Sequence, residues 1–265
     1  MLDQMIKFFV SGFVFPGITW TGLLLGIGLG IAFGAIWFAG YRPPLFRKPW
    51  LWGVMAASAI LSWAAVAFVQ IPLQVWTGQA LGHFWSQQTV QEWLLLAGIP
   101  QILLSGLVQE GSKLVPVVVW WYRKGKHVAP KMGLVVGVVA GAGLGMFGAV
   151  WAHNLVFASG WGWQIVEAKG IIALMPFWER FFAVALHIAV SALAGYGLAK
   201  GCGWQFYLIA SFLHGLTNYG VVLLQSGVLT AVQVEVYAAV IAVAIAAVSL
   251  WLRWRKSEDT TDWAA

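Results

Sequence analysis

Glu110 and Lys113 lie within the apolar run 93–122, in the string Gln109-Glu110-Gly111-Ser112-Lys113. A charge at the centre of a lipid-embedded helix costs roughly 2.5–3.5 kcal/mol on insertion scales, so such residues face a protein interior and usually carry function. Three of the five histidines, His153, His187 and His214, also fall in apolar runs. His214 and Asn218 are four residues apart and share a helix face, a spacing that suits two groups holding one water, metal or oxyanion. A carboxylate can act as a general base, and imidazoles as metal ligands or oxyanion stabilisers. Each residue also has a structural reading. A lone intramembrane histidine is commonly helix glue, and Glu110 with Lys113 could be a neutralised pair. The functional reading rests on Glu110, His153, His187, His214 and Asn218 occurring together on different apolar segments. His83 and His127 fall in connectors and are read as solvated. There is no His-Glu-x-x-His motif, and Ser105, Ser112, Ser191 and Ser211 lack a triad signature.

The elements that must position these groups are membrane helices. The 265-residue chain is 61% hydrophobic and 9% charged, with mean hydropathy +0.82. That leaves too little polar surface for a soluble domain. Seven runs are long enough to span, at about 20 residues each: 15–39, 51–70, 93–122, 132–159, 178–199, 204–225 and 234–252. The expected fold is all-α, a polytopic helical bundle forming one integral membrane domain over 1–265. Two longer connectors are expected, 71–92 and 160–177. Membrane lipid is therefore an obligatory partner. The pI near 9.6 does not point to nucleic acid, because the basic residues cap apolar runs rather than form a patch.

Arg42, Arg47, Lys48, Arg123, Lys124, Lys126, Lys131, Lys200, Arg253, Arg255 and Lys256 fall on one side if seven spans alternate; Lys7, Lys169 and Arg180 fall on the other. The positive-inside rule puts the N-terminus outside and the C-terminus in the cytoplasm, and the expected location is the cytoplasmic (plasma) membrane. Residues 1–10 carry Asp3 and Lys7 and lack a basic n-region and cleavage site, so they do not read as a removable signal peptide. Cys202 is the single cysteine, which excludes an intrachain disulfide. Gly22, Gly26, Gly30 and Gly34, and again Gly133, Gly137, Gly141 and Gly145, repeat every four residues and are read as close helix-packing stripes. Pro116 removes a donor from the carbonyl of Ser112, one turn from the charges, and predicts a kink there.

The order of these motifs over roughly 100–225 resembles the PrsW/YhfC group of intramembrane proteases, within the CAAX-processing endopeptidase-like superfamily. The family's paired-glutamate motif, EExxK or EExxR, corresponds to Gln109-Glu110-Gly111-Ser112-Lys113. Its glycine-rich helix ending in Glu or His corresponds to 141–154 with His153. Its Arg followed by a helical His corresponds to Arg180 and His187, and its HxxxN to His214 and Asn218. Two positions depart: the first glutamate is Gln109, and the step from Phe147 to His153 is longer than the family's FxxxE or FxxxH. The resemblance implies peptide-bond hydrolysis in or near the bilayer, with a transmembrane protein or peptide as substrate. Glu110 would be the base, with His187, His214 and Asn218 assisting. The family includes metal-dependent and metal-free descriptions, so Zn²⁺ held by His153, His187 and His214 is one form of the expectation. Gln109 supports an alternative, a catalytically inactive relative that binds a membrane partner. An ion pathway is a third reading; no repeat or broken-helix pair supports it.

The charge segregation generates a test of topology. Cys202 should react with a membrane-impermeant thiol reagent in inside-out vesicles and be protected in intact cells. The opposite pattern would reverse the orientation.

Overall fold

The computed structural model describes residues 1–256, and among these every regular element is helical. A short helix α1 (Leu2–Ser11) precedes α2 (Trp20–Tyr41) and α3 (Trp50–Ala65). A π-helical turn, Val66–Gln70, joins α3 to α4 (Ile71–Phe84). Then come α5 (Gln87–Glu92), α6 (Leu94–Ala97), α7 (Ile99–Arg123), α8 (Pro130–Ala158) and α9 (Trp163–Lys169). A 3-10 turn, Gly170–Leu174, leads into α10 (Met175–Ala199), followed by α11 (Gly203–Gln225) and α12 (Ala231–Trp254). Seven of the resulting helical stretches are long and apolar enough to cross a membrane. The chain is an all-α polytopic bundle.

Local chemistry sets the ends. Thr19 caps α2 by accepting from the Gly22 amide at 3.1 Å, and a capping box of Thr230 and Gln233 starts α12. Prolines stand in the first turn of α7, α8 and α10, where a missing N–H costs nothing. The 71–92 segment, read from sequence as a connector, is largely helical. The α3 helix carries on through Pro72 to Phe84 as one 35-residue stretch, and the π turn ends two residues before that proline. A wider turn accommodates the ring and the carbonyl that loses its donor. Likewise 160–177 is not an open connector but α9, a 3-10 turn and the start of α10, tied by the Trp161 indole donating to the Ala173 carbonyl at 3.0 Å. The α7 helix is unbroken through Pro116.

The two central helices are α8 and the segment that contains α10. Within their apolar windows 78% and 72% of residues are buried, against 22% for α2 and α12 at the periphery. Close approach is possible because the contact positions lack side chains. A Cβ placed on Gly137 would lie 2.1 Å from the carbonyl oxygen of Ser191, and one on Gly141 would lie 2.2 Å from that of His187. The second stripe works the same way: Gly26, Gly30 and Gly34 of α2 receive Asn154, Val150 and Met146 of α8. Both repeats read as packing stripes from sequence are helix contacts.

The contact distances predict a graded response. Gly141→Ala should lower stability by about 1–3 kcal/mol, an overpacking cost, because backbone rather than a flexible tip must yield. Gly148→Ala meets nothing within 4 Å and should be neutral. Melting of the two purified variants in detergent checks both; a neutral Gly141→Ala would remove the contact as a constraint.

Candidate functional site

Glu110 stands near the middle of α7 with its side chain fully buried, as does Lys113 one turn on. The Lys113 ammonium donates to Glu110 Oε1 at 2.5 Å, so the three-residue spacing forms the pair that it permits. The same oxygen lies 2.6 Å from Nδ1 of His214 on α11, and Ser191 of α10 donates to Oε2 at 3.3 Å. Lys113 Nζ is also 3.2 Å from Nδ1 of His187 on α10. The rings of His187 and His214 meet edge to face with centroids 5.1 Å apart. One carboxylate, one ammonium, two imidazoles and a hydroxyl, from three helices, thus form one connected network.

Each carrier is held by packing already described. His187 and Ser191 are the residues whose backbone faces Gly141 and Gly137 across the α8–α10 contact. His214 is fixed by the crossing of α7 and α11, where a Cβ on Gly106 would lie 2.1 Å from the Ser211 carbonyl oxygen. Glycines on α7 and α8 therefore set the depth at which the polar groups meet.

Not every expected residue joins. Asn218 lies on the same side of α11 as His214, but its amide donates to Ser105 Oγ at 3.0 Å, one turn before Gln109 on α7. His153 is buried elsewhere, stacked on Phe177 with ring centroids 5.3 Å apart and edge-on to Phe33 at the same separation. Its ring nitrogens make no well-formed hydrogen bond among the described residues, and it does not belong to the cluster of possible ligands. Glu110 takes the third place in that cluster. Gln109 points away from the network and donates to Gln70 Oε1 at 3.0 Å. His127, in a connector, and His83, in the last turn of α4, are both exposed.

Ser191 and Gln70 are partners that sequence reasoning did not find. Ser191 follows His187 by four residues and so shares its face, a usable signal. Gln70 lies at the end of the π turn, whose register no hydrophobic pattern reveals.

Glu110, His187 and His214 each offer one ligand atom, all within 4.8 Å of one another. Two imidazoles and a carboxylate are a zinc-type donor set. The fit fails on Lys113. Its ammonium bridges Glu110 Oε1 and His187 Nδ1, and a metal cation held by the same groups would be repelled by it. As arranged, the residues hold an ammonium.

No family model matches the chain, and neither the curated proteins nor the solved structures contain a match to it.

The ammonium's position makes a specific expectation. Lys113→Met leaves a buried carboxylate without its cation and should cost about 3–5 kcal/mol. It also frees three ligand atoms. Zn²⁺ should therefore raise the melting temperature of Lys113→Met, by mass action on the folded state, and leave wild type unchanged. Zinc titration with melting as readout checks this; an equal response of both proteins would show that Lys113 does not block the site.

Proposed function

We propose that this protein is an intramembrane endopeptidase of the PrsW/YhfC type, hydrolysing a peptide bond of a transmembrane protein or peptide in or near the bilayer. The observation that carries the reading is the convergence of Glu110, His214 and His187 from α7, α11 and α10 on a few ångströms of membrane interior. Charged and imidazole groups are placed there at high cost, and such a cost is ordinarily met by function. The Lys and Arg segregation supports an orientation with the basic ends of the helices in the cytoplasm.

The residues present support a metal-free course. Glu110 and His214 form a carboxylate–imidazole pair, and the pair takes the proton from the attacking water. Glu110 both accepts charge and holds the His214 ring in orientation, as an acid does for a catalytic histidine. Lys113 has three donors and uses two, toward Glu110 and His187. The third, with His187, stabilises the oxyanion as the carbonyl becomes tetrahedral. The pair then returns its proton to the leaving amine. Water and the peptide bond are consumed, and a carboxyl and an amine result. His153 has no part in this course, and Asn218 acts one turn away, with Ser105.

A specific observation favours a second reading. Gln109 occupies the position of the family's first glutamate and spends its amide on Gln70 rather than on the cluster. An inactive relative that binds a membrane partner would retain just such a packed, charge-neutral core.

Turnover separates the two. Glu110→Gln nearly keeps shape and should reduce cleavage of a single-span substrate by about 10²–10⁴-fold, the worth of general-base catalysis. Rates are compared at matched expression and folding. Equal rates for wild type and Glu110→Gln remove Glu110 from the mechanism. An inert wild type together with an active Gln109→Glu identifies the binder.

A further inference from the structure

Outside the charged network, a cavity of about 670 Å³ lies among α4, α5, α6, the start of α7 and the end of α11. Six glutamines line it: Gln70, Gln74, Gln87, Gln91, Gln101 and Gln225. Two of them join the wall to Gln109, the neighbour of Glu110 in sequence. Gln109 donates to Gln70, Gln70 donates to Gln74 at 3.4 Å, and Gln74 donates to the Gln101 carbonyl at 3.0 Å. Among the described residues the side-chain amides of Gln87, Gln91, Gln101 and Gln225 make no hydrogen bond to protein. At one end stand Ser105 and Asn218, bonded to each other. The next turn of α7 carries Glu110, and the next turn of α11 toward the interior carries His214.

The lining narrows the ligand. It contains no Asp, Glu, Lys, Arg or His, so nothing there pairs with a phosphate, a carboxylate or a cation. It contains no aromatic ring, so a sugar has no stacking face. What remains is the primary amide, which offers a donor and an acceptor and is neutral. The group it matches is another amide. A helical substrate must unwind to expose a peptide bond, and its freed N–H and C=O groups then need partners that lipid cannot supply. Along α6 and α7 the wall from Leu94 to Ser105 rises roughly 16 Å at 1.5 Å per residue. That length takes about five residues of extended chain. Apolar residues between the glutamines, Leu81, Val90 and Ile102 among them, leave room for uncharged side chains.

We propose that the glutamine-lined cavity is a binding groove for an unwound, uncharged peptide segment, which it holds by its backbone and directs toward Glu110. The groove's role as a substrate channel rests on the endopeptidase reading; its affinity for peptide does not. The π turn before Pro72 belongs to the device, because it carries Gln70, through which the groove reaches Gln109.

The test uses the full-length protein in nanodiscs. The probe is a fluorescent, N-acetylated and C-amidated hexapeptide of Ala, Val and Ser, beside an analogue with alternate amides replaced by esters, which lack the N–H. Wild type and Glu110→Gln should bind the peptide saturably. The triple variant Gln91→Met, Gln101→Met, Gln225→Met keeps length and removes the amides; it should weaken binding about tenfold or more, as should the ester analogue. Gly78→Phe, on the groove wall, should block binding by filling space and serves if the triple variant melts early. Absence of saturable binding, equal binding by the folded triple variant, or equal affinity for peptide and ester would overturn the proposal. Glutamine-dependent binding of maltotriose in place of peptide would also overturn it, by assigning the groove to a sugar. Cleavage without glutamine-dependent binding would sink the groove and leave the endopeptidase standing. Glutamine-dependent binding with no cleavage would do the reverse.

Discussion

The close backbone contact between α8 and α10 is the constraint from which the remaining geometry follows. In lipid there is no hydrophobic force to press helices together, so association depends on van der Waals contact and on hydrogen bonds between helices. The α8 stripe supplies the contact by removing side chains where the α10 backbone passes. It also fixes the registry of α10, since Gly137 and Gly141 face the backbone of Ser191 and His187. The two side chains are thereby delivered to Glu110 and Lys113. A one-residue slip would rotate both away from the network, because each step turns a helix by about 100°.

The charges impose a second constraint on the same region. Glu110 and Lys113 are fully buried, and a buried pair is tolerated only when its remaining lone pairs and protons find partners. Here most do: Oε1 has Lys113 and His214, Oε2 has Ser191, and the ammonium reaches His187, with one of its three donors left over. The network therefore ties α7, α10 and α11 together as well as concentrating reactive groups. Its structural and chemical roles are carried by the same bonds. His153 and Asn154 show the contrast. They are also buried, but without such partners, packed instead among Phe33, Phe177 and the α2 backbone at Gly26.

Adjacent to this buried, charged centre lies a roomy, neutral one. The two are separated by the α7–α11 crossing at Gly106 and Ser211, and linked by Gln109 and Gln70. Charge sits where solvent is excluded, and uncharged amides line the space.

The seven membrane helices, the two glycine stripes and the candidate residues Glu110, Lys113, His187 and His214 were legible in the sequence. Apolar length, small-residue spacing and charge in apolar runs are local properties that the bilayer converts directly into structure. The sequence also placed Glu110 beside Lys113, because one helical turn brings residues three apart together. It could not say which histidine would stand near Glu110. His153, His187 and His214 look alike along the chain, and only the rotation of each helix in the bundle turns two inward to the network and packs the third on phenylalanine. Nor could it show that the helix runs through a π turn and Pro72 instead of ending there, so that Gln70 and Gln74 reach Gln109. Those choices depend on side-chain contacts between segments distant in sequence, and they are made only when the helices pack.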